Sequence, residues 1–148
     1  MSESTEPPTA PMKGACLCSG VQFSLDGAPE NVFICYCTHC SKNAGGEGQI
    51  SAKFRRQQVH VECGEQLLSV WTLTDTLSGS EKEKVFCSRC GCTLWTVPMK
   101  HGGTHLIVRT SLVEDGLTRL PYRMEFFSSQ KTNVAASAVK SFDTMPGY

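Results

Sequence analysis

Nine cysteines dominate the chemistry that this sequence can support, because seven of them fall in three tight groups. The groups are Cys16-x-Cys18, Cys35-x-Cys37-x-x-Cys40 and Cys87-x-x-Cys90, the last followed by Gly91. Thiols at C-x-C spacing rarely meet the geometry of a disulfide. Thiolates one or two residues apart instead suit a tetrahedral soft metal ion such as zinc. The spacing therefore predicts metal binding.

The three groups divide most simply into two zinc sites. Pairing the first group with the third gives a closed four-thiolate site, which is typical of structural zinc: Cys16, Cys18, Cys87 and Cys90. The middle group then supplies three ligands, Cys35, Cys37 and Cys40. Three protein ligands leave a position for water or substrate, as in catalytic zinc sites. The predicted cofactor is zinc, with two ions per chain.

Charge determines what the three-cysteine site can do. Three thiolates around one divalent ion leave the site negative, so the ion activates water poorly and its open position favours another thiolate. The predicted chemistry is therefore the addition of a thiol sulfur to a small carbonyl compound, or the reverse carbon–sulfur cleavage. Neither direction requires a nucleophile from the protein.

Other interpretations of the cysteines stay open at this level. Cys87 and Cys90 are also spaced like a redox dithiol, although the flanking pattern lacks a βαβ unit. Alternatively, both metal sites are structural, and the fourth ligand of the second site comes from Cys63, Cys92, His39 or His60. In the two-site interpretation, Cys63 and Cys92 are predicted to be small buried side chains.

A basic cluster follows the three-cysteine group, at Lys42, Lys53, Arg55 and Arg56, opposed only by Glu47. One interpretation is that these cations receive the carboxylates of a peptide thiol. The alternative is a solvated loop and strand end without a ligand.

Short β-like runs separated by turn residues must position these side chains. Alternating or β-branched and aromatic content predicts strands at 21–25, 32–34, 59–62, 68–73, 93–97 and 105–110. The charged segment 78–84 is predicted to be a solvated loop. Only two helical turns are expected, over 36–43 and 135–140, because no longer stretch has a helical apolar period. The pattern indicates one mainly β domain.

Length and composition limit the remaining possibilities. The chain has 148 residues, enough for one domain, which we place at 12–128 between a disordered tail at 1–11 and a C-terminal extension packed on the domain at 129–148. Fourteen basic residues balance fourteen acidic ones, which argues against nucleic-acid binding. No apolar run approaches the ~20 residues of a membrane span. The N-terminus has no apolar signal core, so we expect a reduced, cytoplasmic protein.

Taken in order, the three groups resemble the glutathione-dependent formaldehyde-activating enzyme family, which shares its domain with centromere protein V. The matching stretches are Gly14–Cys18 with Val21 and Phe23, then Cys35–Lys42, and Phe86–Gly91. The resemblance implies a β-tent fold of two packed antiparallel sheets, a structural zinc at the four-cysteine site and a labile zinc at the three-cysteine site. It also implies carbon–sulfur lyase activity that joins formaldehyde to glutathione.

Two functions from different classes follow. The first is a zinc-dependent lyase-type enzyme in which Cys35, Cys37 and Cys40 hold the reactive zinc for a small thiol or its adduct. The second is a zinc-stabilised protein-binding module without catalysis. Neither a nucleic acid nor a membrane is an expected partner, and the sequence does not indicate an oligomeric state.

Overall fold

The computed structural model describes residues 11–132 and 140–147. The strands are β1 (Met12–Ala15), β2 (Gln22–Leu25), β3 (Asn31–Cys35), β4 (Gln49–Arg55), β5 (Val59–Cys63), β6 (Leu68–Leu73), β7 (Lys82–Cys87), β8 (Thr93–Pro98), β9 (His105–Arg109) and β10 (Met124–Phe126). Two short helices are present, α1 (Thr38–Ala44) and α2 (Gly116–Arg119). Single 3₁₀ turns occupy Arg56–Gln58, Glu65–Leu67, Met99–His101, Thr110–Leu112 and Ser128–Gln130.

These strands form two sheets. The smaller sheet has the order β1-β2-β5, and the larger has the order β10-β3-β4-β9-β8-β7-β6. All strand pairs are antiparallel except β10 with β3. The predicted mainly β fold of two packed sheets is therefore confirmed, with one parallel edge strand that the family pattern did not indicate.

The core lies between the two sheets. Phe23 and Leu25 from β2 face Phe54, Trp95 and Val108 of the large sheet, and all five side chains are buried. The rings of Phe23 and Trp95 meet edge to face, with centroids 5.5 Å apart. Because side chains alternate along a strand, the same strands present a second set of residues on the outer face of the large sheet. That outer face forms the floor of a cleft.

Strands are observed at each of the predicted runs, with small differences at their ends. The expected helical turn after the third cysteine is α1. Four further strands, β1, β4, β7 and β10, were not predicted. The prediction of a solvated loop over residues 78–84 is wrong in its second half, because Lys82, Glu83 and Lys84 begin β7. Pairing with β6 and β8 overrides the low strand propensity of these charged residues.

Both predicted terminal segments extend beyond the described residues. Residues 1–10 of the expected tail, residues 133–139 and Tyr148 are outside the description, so the tail, the helical turn at 135–140 and the packed extension stay predictions. In the part of the chain that is described, no helix has the length and apolar character needed to cross a bilayer.

Candidate active site

The four-cysteine cluster forms where two tight turns meet. After β1, the amide of Val21 donates to the Cys16 sulfur at 3.3 Å, and Ser19 adopts a left-handed conformation with φ of 60°. After β7, the amide of Gly91 donates to the Cys87 carbonyl at 2.8 Å, and Gly91 has φ of 76°, which favours glycine. Each turn places the sulfurs of its two cysteines in the same cluster.

The four sulfurs of this cluster fit a tetrahedral ion. They belong to Cys16, Cys18, Cys87 and Cys90, and all lie within 4.8 Å of one another. The Sγ atoms of Cys16 and Cys18 are 3.6 Å apart, and those of Cys18 and Cys87 are 3.8 Å apart. A tetrahedral zinc with bonds of ~2.3 Å requires sulfur separations of about 3.8 Å. This cluster could therefore hold a metal ion.

Burial raises the pKa of the Cys16 thiol, whereas hydrogen bonds favour a thiolate at Cys18. Cys16 and Cys87 are buried in the core between the sheets. At the outer edge, the guanidinium of Arg89 donates to the Cys18 sulfur at 3.2 Å. The backbone amide of Gly20 and then Arg89 lower the pKa of the Cys18 thiol to about 6. A thiolate is thus favoured there near neutral pH, as metal ligation requires.

The three-cysteine cluster lies at the junction of β3 and α1. Cys35 ends β3, while Cys37 caps α1 and its sulfur accepts from the amide of Cys40 at 3.4 Å. The three sulfurs lie within 4.8 Å of one another. Hydrogen bonds from the other two thiols hold the pKa of Cys37 well below its usual range. The donor set therefore fits a soft metal ion as well.

Among the described residues, no fourth histidine, cysteine or carboxylate joins this three-cysteine cluster. The alternative ligands lie elsewhere: His39 is 3.3 Å from Asp75, and His60 pairs with Asp26. Cys92 lines the cleft and its thiol contacts the Thr93 carbonyl at 3.8 Å. Cys63 is exposed on β5, so the prediction that it is buried is wrong. The cluster therefore offers three protein donors.

Hydrogen bonds, rather than burial, hold α1 beside the cleft, since none of its seven residues is buried. Thr93 on β8 donates to the side-chain oxygen of Asn43 at 3.3 Å, and Asn43 donates to Gln49 on β4 at the same distance. Gly45 ends the helix with φ of 70°, where its amide donates to the Ser41 carbonyl. These contacts set the position of Cys40 over the large sheet.

The three sulfurs open into a cleft of about 1170 Å³ on the outer face of the large sheet. Aromatic side chains form two of its walls, with Phe33 and Phe126 stacked at 4.3 Å on one side and Trp71 on the other. The volume exceeds the ~1,000 Å³ at the upper end of the usual range for small-molecule sites. The cleft is therefore large enough for a substrate beside the three-cysteine cluster.

Positive charge lines this cleft. Of the predicted basic cluster, Lys42 and Lys53 do line it, whereas Arg55 pairs with Glu30 at 3.4 Å and Arg56 donates to the Gly103 carbonyl at 2.7 Å. Sequence reasoning missed four further lining cations: Lys82, Lys84, Lys100 and Arg109. Alternation in β7 and β9 places Lys82, Lys84 and Arg109 on one face, but only the sheet order shows that these faces adjoin.

The sequence model of the family described as "Glutathione-dependent formaldehyde-activating enzyme" matches residues 11–130. A protein of Halomonas elongata, provisionally named as such an enzyme, is 32% identical over 85 residues, which cover 57% of this chain and 54% of the relative. The alignment thus spans about half the length of that relative.

A crystal structure of a Rhodobacter sphaeroides protein is also similar to this chain, with a TM-score of 0.60 at 19% identity. The match covers 78% of this chain and 99% of that one. At this identity the likeness shows a shared fold. Together with the family match over the strands and both cysteine clusters, it leads to one conclusion: the chain belongs to the glutathione-dependent formaldehyde-activating enzyme family.

Proposed function

We propose that this protein is a zinc-dependent carbon–sulfur lyase-type enzyme of the cytoplasm, which adds a glutathione-like thiol to a small carbonyl compound or releases it. The observation that carries the proposal is the difference in donor number between the clusters. Four sulfurs complete a tetrahedral set in one cluster, whereas the other offers three sulfurs beside a large cleft, with no fourth His, Cys, Asp or Glu among the described residues. The family assignment and the name of the Halomonas relative support the same chemistry.

The proposed roles of the cysteines follow from this contrast. Cys16, Cys18, Cys87 and Cys90 hold a structural zinc, and Cys35, Cys37 and Cys40 hold a catalytic one. Zinc held by three thiolates supplies an open position that favours a thiolate over hydroxide. The amide of Cys40 stabilises negative charge on Cys37, and the positive charge of Lys82 lies close enough to lower the pKa of Cys37 further.

The remaining steps concern the substrate and the lining of the cleft. In the addition, the thiol sulfur forms a bond to the carbonyl carbon, and the proton lost by the thiol ends on the carbonyl oxygen. The described residues that line the cleft include no Asp or Glu, but they include His39 and His101. Either imidazole or solvent can carry this proton, while the lining cations offset the negative charge of the thiolate.

The test uses glutathione and formaldehyde with the zinc-loaded protein, and NMR exchange spectroscopy measures the rate of adduct formation. We expect the protein to accelerate exchange and Cys40→Ser to lower that acceleration by at least about a hundredfold, because the three-donor site loses a ligand. Far-UV circular dichroism should show that Cys40→Ser remains folded. Cys63→Ser is the matched control, since Cys63 is exposed and belongs to neither cluster.

Two outcomes would contradict the proposal. Full activity of Cys40→Ser would remove the open site from the reaction. Unfolding of Cys40→Ser would instead indicate that both clusters are structural, as in a zinc-stabilised binding module.

A further inference from the structure

The cleft carries far more positive than negative charge. Six cationic side chains line it, and no carboxylate does so among the described residues: Lys42, Lys53, Lys82, Lys84, Lys100 and Arg109. Of these, only Lys53 forms an ion pair within the described part of the chain, at 3.7 Å from Glu30. Like charges gathered in a concave surface raise the local potential and attract anions.

Two of these cations, Arg109 and Lys84, are partly withdrawn from solvent. They lie on β9 and β7, separated by β8, and both project to the cleft face of the large sheet. The Nε and Nη2 atoms of Arg109 are shielded from solvent and have no hydrogen-bond partner. Burial, followed by the charge of Arg109, lowers the pKa of Lys84. Arg109 and Lys84 are therefore both partly desolvated, and neither has a counter-ion among the described residues. Holding two like charges in this way costs free energy of folding.

The nearby cysteines do not account for this charge. Thiolates at Cys92 and Cys40 would favour the charged form of Arg109, but neither sulfur accepts a hydrogen bond from it. A three-thiolate site with a divalent ion carries one net negative charge, and a four-thiolate site, whose Cys16 and Cys90 also line the cleft, carries two, against six cations. The arrangement therefore retains a positive surplus that an incoming anion can neutralise.

We propose that Arg109 and Lys84 form an anion-binding subsite on the floor of the cleft, which selects thiol substrates that also carry a carboxylate or phosphate group. A guanidinium fork and a neighbouring ammonium match the oxygens of either group. The inference deepens the proposed function and rests on it for the thiol, but anion binding itself requires neither a thiol nor a reaction. Arg109 and Lys84 are thus specificity-determining residues.

The experiment measures binding of succinate and of inorganic phosphate, separately, to the zinc-loaded protein by calorimetry at low ionic strength. We expect Arg109→Gln to raise the Kd by at least about tenfold and Lys84→Gln by about fivefold, since each removes a charge-assisted hydrogen bond. Arg109→Lys should recover part of the affinity. Arg119→Gln is the matched control, because Arg119 lies on α2 outside the cleft and is exposed. The tighter of the two anions identifies the group on the substrate.

Unchanged affinity in both Arg109→Gln and Lys84→Gln would overturn the subsite. Equal weakening in Arg119→Gln would do the same, because it would show a general charge effect. If Arg109→Gln does not fold, Lys84→Gln decides the question alone. If succinate or phosphate binds but the protein does not catalyse glutathione–formaldehyde exchange, the proposed reaction is refuted and the anion subsite is retained. If the protein is active but anion binding is unaltered in both variants, the subsite is refuted and the reaction is retained.

Discussion

The two cysteine clusters differ in how the chain brings their sulfurs together. In the four-cysteine cluster, Cys16 and Cys18 follow β1 of the small sheet, whereas Cys87 ends β7 of the large sheet and Cys90 follows it. The cluster therefore links the two sheets at the edge of the core. In the three-cysteine cluster, one connection between β3 and α1 supplies all three sulfurs. The first cluster closes a long loop, and the second closes almost none.

Because of this difference, we expect the four-cysteine cluster to contribute to stability and the three-cysteine cluster to contribute to chemistry. Metal binding by residues that are distant in sequence contributes to folding, because the unfolded chain does not hold those ligands together. Three sulfurs from neighbouring residues contribute little to the fold, and their open side faces the cleft. We therefore expect loss of a cysteine from the first cluster to unfold the protein, and loss of a cysteine from the second to abolish activity without unfolding it.

The largest effect is expected from Cys87→Ser, because Cys87 is fully buried and links the core to the four-cysteine cluster. The binding free energy of a structural zinc is on the order of 10 kcal/mol, which is comparable to the entire stability of a domain. We expect the variant to show no cooperative thermal transition by circular dichroism, whereas Cys40→Ser retains one. A wild-type melting curve for Cys87→Ser would contradict the structural role of the first cluster.

An intermediate effect is expected where the turns of the first cluster pack closely. A Cβ at Gly64, whose φ is +82°, would lie 2.0 Å from the Gly20 carbonyl oxygen, next to the Cys18 turn. Gly64→Ala should lower the free energy of unfolding by about 3 kcal/mol or more. Gly45→Ala, at φ +70° with no atom within 4 Å, should cost only about 1 kcal/mol. Urea denaturation of both variants gives the difference, and equal losses would refute the steric explanation.

The smallest effect is expected at the second cluster, where two hydrogen bonds position α1. Asn43→Ala removes the two hydrogen bonds that join α1 to β4 and β8, which should cost about 1–2 kcal/mol of positioning energy. We expect a mild chelator to remove one of two zinc ions from the wild type and to do so up to about tenfold faster from Asn43→Ala. A coloured chelator follows the release.

The control for this prediction is Asn31→Ala, which changes another cleft asparagine whose side-chain oxygen has no hydrogen-bond partner. Its release rate should match the wild type. Faster release from Asn31→Ala, or the loss of both ions at one rate, would count against a separately held, labile site.

Several features were predictable because they depend on local residue types. The alternation of Val21 to Leu25 predicted β2, and the C-x-C and C-x-x-C spacings predicted the three local groups of cysteines. The pairing of the first group with the third was expected as the simplest division of the seven cysteines, not from local spacing. The strands β4 and β7 were missed because charged residues interrupt their apolar faces. In β7, Lys82 and Lys84 are tolerated since one face of the large sheet borders a cleft instead of the core.

The donor chemistry and the local grouping of the cysteines follow from the order of the residues alone, because thiol spacing limits the metals and geometries that neighbouring residues can serve. The surroundings of the three-cysteine cluster depend instead on the fold. Lys84 and Arg109 lie 25 residues apart in the chain and have no local signal that relates them. They share the cleft because strand order and register are fixed by packing of the opposite face against the small sheet, which is a non-local property of the whole core.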